Sequence, residues 1–397
     1  MKAAEISEKV HYIGVNDRVT HKFEGMWPLP AGVSYNSYLV VGSDKAAIID
    51  GVESAYALEQ IDHIKAILGD RCPDYLIINH MEPDHSGAIA LLKQAFPGMT
   101  VVGNTITLTQ LEGYYGINDN VMAVKDGQEL SLGEGTTLKF TLTPMVHWPE
   151  TMVTYLQEEK TLFSGDAFGC FGALNGAVVD SDMDTARYFP EMLRYYSNIV
   201  GRYGMFVQRA LKKLAGVEID VICPTHGPVW KSQIAEVVDL YDKLSSYTPL
   251  DNGVTIVYGT MYGNTQRMAE AAAEALACEG VKNIEMFNCS VTDLSYIIAA
   301  AFRHRGLIIA APTYSDGLFP PVKAFMEAIE LRGLKNREVL VFGSHTWSQR
   351  AIDVINGHLA SISAEPVAEA VNNRQAPGQK VLEQCREKAR LLAARLV

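Results

Sequence analysis

Asn79-His80-Met81-Glu82-Pro83-Asp84-His85-Ser86-Gly87 is the stretch on which the reading of this chain turns. Four metal-binding side chains, His80, Glu82, Asp84 and His85, fall within six positions. They follow Tyr75-Leu76-Ile77-Ile78, an apolar run with the length and character of a buried strand. They precede Gly87-Ala88-Ile89-Ala90-Leu91-Leu92, which reads as the start of a helix. A strand-to-helix loop is a place where a rigid scaffold can aim several ligands at one point. While the backbone stays extended, the alternate spacing of His80, Glu82 and Asp84 sends all three to one side, and His85 then turns the corner. The plain alternative is a polar surface loop with a helix cap at Asp84 or Ser86. Two histidines and two acids packed this tightly weigh against it.

Working outward, the pattern recurs. Leu138–Pro144 reads as a strand that delivers His147, Thr161–Gly165 as one that delivers Asp166, and Asp220–Pro224 as one that delivers His226. A lone histidine or aspartate at a strand end is often just a satisfied polar group. Seven such residues in series, four of them already clustered, are too many for one metal and suit two metals that share a carboxylate. Four nitrogens and three carboxylates make a hard donor set. It favours iron or manganese, although affinity order alone still allows zinc.

Around these residues, His11–Val15, Asn36–Val41 and Ala46–Asp50 read as strands of one sheet, with a helix near Ala55–Leu68. A helix near Ile89–Ala95, a strand at Thr100–Val102, a helix around Ile106–Gly113 and a strand near Val121–Val124 follow. Arg187–Gly201, Val207–Leu214 and Ile234–Leu244 carry helical apolar spacing. A run of turn formers at 248–253 marks a domain boundary, giving expected domains at 1–250 and 251–397. Length supports this, since 397 residues exceed one ordinary core.

Composition sets the class. Apolar residues make up 48% and charged residues 20%, the balance of a globular chain. A formal net charge of −12 speaks against a nucleic-acid partner. No run of eighteen apolar residues predicts a membrane span, and Met1–Glu5 lacks a signal-peptide pattern. The six cysteines are scattered without a C-x-x-C pair, which suits a reducing, cytoplasmic setting and leaves out a thiolate metal module.

The layout His-x-[His or Glu]-x-Asp-His, then His, Asp and His, resembles the metallo-β-lactamase superfamily. Glu82 stands where the hydrolases carry histidine. That substitution, the Asn79–Gly87 context and His147-Trp148-Pro149 are similar to flavodiiron proteins. The resemblance implies an αββα sandwich for the first domain. It implies one iron on His80, Glu82 and His147 and a second on Asp84, His85 and His226, with Asp166 bridging. It also implies a tyrosine near the metal pocket, either Tyr195 or Tyr196; half-buried packing is the plainer role for at least one of them. Many family members carry Phe-His-Gly where this chain has Phe23-Glu24-Gly25. Glu24 there is either a surface carboxylate or a relay for protons that the reaction consumes.

Beyond the boundary the pattern becomes strict strand–helix alternation. Val254–Tyr258, Ile284–Asn288, Gly306–Ala311, Glu338–Phe342 and Pro366–Val371 read as five strands, and the last helix as about Gln379–Leu396. This predicts a doubly wound parallel sheet. Its first strand runs into Gly259-Thr260-Met261-Tyr262-Gly263-Asn264-Thr265 and a helix. Such a loop can wrap a monophosphate with backbone N–H groups and hydroxyls; a capped turn is the plain alternative. Without a lysine or G-x-x-x-x-G-K, a nucleoside triphosphate does not fit. The run resembles the flavodoxin phosphate loop, so FMN is the implied ligand. Pro312-Thr313-Tyr314-Ser315-Asp316-Gly317 and Ser344-His345-Thr346-Trp347-Ser348 then flank the flavin ring, with Tyr314 and Trp347 offering aromatic faces. Read alone, Trp347 is equally a surface or interface anchor.

The flavodiiron resemblance spans the chain and implies a soluble reductase. Electrons from an external donor would pass through FMN to a diiron site that reduces O2 to water, NO to N2O, or both. It implies a rubredoxin-like protein or a reduced deazaflavin coenzyme as donor, because larger members carry a rubredoxin module after the flavodoxin-like domain. It further implies a head-to-tail homodimer, with a dimer of dimers as the larger form. The rivals are a dinuclear zinc hydrolase with an accessory flavin domain, against which Glu82 and the flavin domain speak, and a flavin carrier with a decayed metal site, against which the full ligand set speaks.

Overall fold

The computed structural model describes residues 5–396. Met1–Ala4, part of the stretch read for a targeting signal, and Val397 lie outside the described residues. The chain divides into two compact units, one of 1–196 with 205–242, the other of 197–204 with 243–397.

The first unit is built on two sheets. One is six-stranded, in the order Val10–Tyr12, Tyr38–Val41, Ala46–Ile49, Tyr75–Ile77, Thr100–Gly103, Val121–Ala123. Its first three strands pair antiparallel and the remainder parallel. The other is five-stranded, in the order Glu129–Ser131, Thr137–Leu142, Met152–Leu156, Thr161–Gly165, Val221–Pro224. Met152 N donates to Asn79 O at 3.0 Å and Asn36 N to Thr225 O at 2.7 Å, tying the two sheets at the ends that carry the ligands. Helix Ala57–Leu68 buries Ala57, Gln60, Ile61, Ile64 and Leu68, one helical stripe. Helix Thr105–Tyr115 begins where Asn104 Oδ1 accepts from Ile106 and Thr107 N–H, and stops at Gly116, whose φ of 66° few other residues adopt.

The second unit is built on five parallel strands, with the short strand Gly317–Leu318 added antiparallel to one of them. The spatial order of the five is Ile284–Asn288, Asp251–Tyr258, His304–Tyr314, Glu338–His345, Val371–Arg374. The second strand thus lies outside the first, and the order reverses between the first and third, the flavodoxin-type arrangement. Val254, Ile256, Ile308, Ala310, Leu340 and Phe342 share a core with helices Asn264–Cys278 and Gln379–Leu396. The alternate positions Val257, Ile309 and Val341 are equally buried, so both faces are covered.

Three expectations shift. His11–Val15 is two strands, not one: Val10–Tyr12 pairs in the six-stranded sheet and Val15–Asp17 pairs with Val33–Tyr35. Gly14 sits at the break, where a Cβ would come within 2.6 Å of Tyr35 O. The fifth strand of the second unit is Val371–Arg374, and Pro366 makes only an isolated bridge to Val339. Proline has no N–H to give a ladder, so regular pairing begins after it. Arg187–Gly201 is not one helix. It is α-helical over Tyr188–Tyr195, a π turn over Tyr196–Val200 and a 3-10 turn over Gly201–Tyr203. Arg332 Nε donates to Ser197 O at 2.6 Å and Nη2 to Asn198 O at 3.0 Å, while Tyr247 Oη donates to Gly201 O at 3.1 Å. Those bonds hold 197–204 within the second unit.

Candidate functional site

The strand Tyr75–Ile77 ends in Asn79, whose N–H and Nδ2 donate to the two carboxylate oxygens of buried Asp50 at 2.7 and 2.9 Å. Thr154 Oγ1 closes the third side, donating to Asn79 Oδ1 at 2.7 Å. With that residue clamped, the next ones have fixed directions. Pro83–Ser86 forms a single helical turn with proline at its start, the position where a missing N–H costs least. It places Asp84 and His85 one turn beyond His80 and Glu82.

The seven predicted ligands meet at one place. Nε2 of His147 lies 3.1 Å from Glu82 Oε2 and 3.1 Å from Asp166 Oδ2. Nε2 of His80 lies 3.2 Å from Glu82 Oε2 and 3.4 Å from Asp166 Oδ2. On the other side, Nε2 of His85 is 2.9 Å from Asp166 Oδ1 and 3.2 Å from Asp84 Oδ2. Nε2 of His226 is 3.3 Å from Asp84 Oδ2 and 3.7 Å from Asp166 Oδ1. Asp166 therefore turns one oxygen to each group, and Thr225 Oγ1 fixes it with a hydrogen bond of 2.6 Å to Oδ1.

Several observations fit a pair of cations. The ligand atoms of His80, Glu82, His147 and Asp166 lie within 4.8 Å of one another, as do those of Asp84, His85 and His226. Metal–ligand bonds of about 2.1 Å set ligand atoms about 3.0 Å apart at right angles and about 3.4 Å apart in a tetrahedron, which brackets most of these separations. Both carboxylate oxygens of Asp84, Nδ1 of His85 and Nε2 of His226 are buried without a hydrogen-bond partner among the described residues. Buried polar groups are seldom left so unless something else satisfies them.

The electrostatics agree. Burial works to raise the Asp166 carboxyl, but the charges of His85 and His80 and a hydrogen bond from His147 outweigh it and hold it well below the usual carboxylate range. Burial works to lower His85 and His147, yet Asp84 and Asp166 for the first, and Asp166 and Glu82 for the second, push both up to about 9. A pocket that raises buried imidazoles in this way is one that draws positive charge.

The two tyrosines part company. The Tyr195 ring lies 5.4 Å from that of His226, and its hydroxyl is buried with no hydrogen-bond partner among the described residues. Tyr196 instead packs against Tyr241, at 5.0 Å. Glu24 lies in the hairpin Lys22–Phe23/Trp27–Pro28, where Trp27 Nε1 donates to its Oε2 at 3.0 Å. Burial of the carboxyl tip and then the Glu82 charge push it up to about 7, although the residue as a whole stays exposed. Phe23, its neighbour, sets its ring 5.4 Å from His226.

Sequence reading missed the groups behind the ligands. His80 Nδ1 meets Glu150 Oε1 at 2.8 Å, and Met81 N–H donates to the same oxygen at 2.9 Å. His226 Nδ1 donates to Ser34 O at 2.7 Å. Glu150 was within reach of inspection, since it closes the run His147-Trp148-Pro149-Glu150 and an acid beside a ligand motif is a usual partner for a ligating imidazole. Nothing local marks the Ser34 carbonyl.

In the second unit a cavity of about 360 Å³ opens at the C-terminal ends of the strands. It is lined by Thr260, Met261, Tyr262, Asn264 and Thr265 from the first loop, by 312–316 from the second and by 344–348 from the third. Gln375 joins them, and Gly263 and Gly317 do not line it. Gly263, at φ 86°, turns the chain into helix Asn264–Cys278, whose start has no side-chain cap. Its first N–H groups are thus available to an anion. Ser348 Oγ donates to Asp316, and Ser344 Oγ pairs with Thr265 Oγ1 at 2.8 Å, tying the three loops together. Trp347 and Tyr262 are 84% and 91% exposed, apolar surface that a planar ring system could cover.

Comparison with known proteins agrees with the fold of both units. Residues 33–227 match the model of the ODP family β-lactamases, and residues 256–388 that of flavodoxin. The chain is 30% identical over 393 residues to the anaerobic nitric oxide reductase flavorubredoxin of Escherichia coli O1:K1, covering 98% of this chain and 81% of that one. Among solved structures, it resembles rubredoxin oxygen:oxidoreductase from Desulfovibrio gigas with a TM-score of 0.94 and 30% identity, covering 99% of this chain and 98% of that one. It resembles the flavodiiron protein from Giardia intestinalis with a TM-score of 0.93 and 26% identity, covering 100% and 99%. A metallo-β-lactamase-like sandwich joined to a flavodoxin-like domain defines a class of two-site redox proteins. The chain belongs to the flavodiiron protein family. Among the described residues no helix is long and apolar enough to cross a membrane.

Proposed function

We propose that this chain is a flavodiiron oxidoreductase that reduces dioxygen to water, nitric oxide to nitrous oxide, or both, with electrons from an external donor. The observation that carries this reading is Asp166, with Oδ2 toward His80, Glu82 and His147 and Oδ1 toward His85 and His226. When bound, FMN supplies one- and two-electron exchange and an iron pair supplies the redox chemistry at the gas. His80, Glu82 and His147 would hold one iron, Asp84, His85 and His226 the other, and Asp166 both.

The remaining residues serve the same end. The ligating imidazoles of His80, His85 and His226 are fully buried, which keeps bulk water from the reacting atoms. Tyr195 holds its hydroxyl in that dry pocket as a hydrogen-bond donor, and Glu24 at its edge can pass protons inward. FMN would place its phosphate at the start of helix Asn264–Cys278 and its ring between the loops of Tyr314 and Trp347. The Desulfovibrio gigas relative names rubredoxin as its donor, so a rubredoxin-type protein is the first donor to try, with a reduced deazaflavin second. A head-to-tail homodimer in a cytoplasmic setting completes the proposal. A zinc hydrolase is the rival. Analysis of iron, zinc and FMN in the purified protein, with steady-state turnover under O2 and under NO on one preparation, tests the reading. Stoichiometric zinc without iron in active protein would overturn it.

A further inference from the structure

The two halves of the metal site are matched in what faces the metals. Each carries two imidazoles and one carboxylate of its own, and Asp166 is shared. They differ in what stands behind the imidazoles. His80 Nδ1 meets a carboxylate oxygen of Glu150 at 2.8 Å. His226 Nδ1 meets only the neutral carbonyl of Ser34, at 2.7 Å. His85 Nδ1 is buried with no hydrogen-bond partner among the described residues.

We propose that the two metal positions are unequal, and that the Glu150 carboxylate behind His80 makes the position of His80, Glu82 and His147 the tighter one. This rests on the diiron reading and goes past it. Glu150 Oε1 already accepts the Met81 N–H at 2.9 Å. An ionised carboxylate only accepts, so the proton between it and His80 resides on Nδ1. When a cation is bound, Nε2, on the side of Glu82 and Asp166, is then the nitrogen that offers its lone pair. The buried negative charge behind the ring also makes Nε2 a stronger donor to a cation, as outer carboxylates do for ligating histidines. The Asp50 carboxylate lies within electrostatic reach of both His85 and His80 and so belongs to both halves, but no carboxylate hydrogen-bonds Nδ1 of His85 or of His226. Glu150 is a positioning residue, acting on the metal only through His80.

The decisive variant is Glu150→Gln. It keeps an oxygen for His80 Nδ1 and Met81 N–H and removes the charge. The new amide would face Gln110 Nε2, now 3.4 Å from Glu150 Oε2. Gln110 Oε1 has no partner among the described residues, so a flip of that amide supplies an acceptor and the local packing can persist. Ferrous iron is titrated anaerobically into the metal-free, FMN-loaded protein and uptake is followed directly, without turnover. The wild type should bind in two separated steps. In Glu150→Gln the tighter step should weaken by about 10- to 100-fold while the second step and FMN content stay fixed. Weakening of both steps alike would mean a general scaffold role and would overturn the proposal, as would no change in either. Should Glu150→Gln fail to fold, ligand variants decide: Glu82→Gln should remove the tighter step and Asp84→Asn the weaker. The opposite assignment, or a wild type that takes both irons in one step, would also refute it. A wild type that binds no pair at all would sink the diiron reading itself.

Discussion

Asn36 holds the loop that presents His226, and replacing it tests how the scaffold supports the site. Its Nδ2 donates to Pro224 O at 2.9 Å and to Gly227 O at 2.8 Å, and its Oδ1 accepts from Tyr12 Oη at 3.0 Å, all in the buried interior. Asn36→Ala breaks all three. Pro224 O keeps its bond from Tyr38 Oη at 2.6 Å, so the main cost falls on Gly227 O and Tyr12 Oη. Each orphaned buried group costs about 1–3 kcal/mol, which places the loss near 4 kcal/mol. For a unit of this size about 2–4 °C is lost per kcal/mol, so the midpoint of the first unit should fall by roughly 8–16 °C. Calorimetry on metal-free protein reads that directly. Iron analysis after reconstitution should show the His226 position emptied first. A midpoint lowered by less than about 2 °C, with full iron content, would show that the loop is held by its backbone and refute the reasoning.

Other expectations follow from the same geometry. Asp166→Ala should abolish gas reduction and lower iron content, because one side chain serves both positions; iron analysis beside turnover checks it. Asn264→Ala with Thr265→Ala should weaken FMN at least about tenfold, since bonds to a charged phosphate are worth about 1.5–3 kcal/mol each; unchanged affinity by fluorescence titration would move the phosphate elsewhere. Glu24→Gln should lower turnover without loss of iron, and turnover unchanged from wild type under both gases would return Glu24 to a surface role. Heterodimers of an Asp84→Ala chain with the Asn264/Thr265 double variant should regain activity if electrons cross between subunits; inactive purified heterodimers would place transfer within one chain.

Much of this was legible because the chemistry is local. His147, Asp166 and His226 each follow an apolar run, and the Asn79–Gly87 cluster sits in one loop, so residue order alone collected the candidate ligands that the fold brings together. The α/β alternation of the second unit is likewise local, as period and turn residues coincide. What escaped depends on pairing across long separations. Glu150 and His80 are 70 positions apart and Ser34 and His226 are 192 apart, with no shared period to connect them. The choice between Tyr195 and Tyr196 needed the helix phase, which the π turn beginning at Tyr196 sets. The strand at Val371–Arg374 hid because Asn372 and Asn373 lack the apolar signature that Pro366–Ala368 mimics.

The allegiance of residues 197–204 bears on how such a chain could be assembled or dismantled in evolution. They follow the first-unit helix Tyr188–Tyr195 and run into the first residue of helix Gly204–Leu214, the rest of which is in the first unit, yet they belong to the second. A flavodoxin-like half moved as one block of sequence, cut after Asp242, would leave behind the carbonyls of Ser197 and Asn198 that Arg332 grips. Recombination that exchanges electron-entry modules at a single crossover would therefore mismatch Arg332 with a foreign segment. Swapped halves should function only when the residue facing Ser197 and Asn198 travels with a compatible 197–204 stretch.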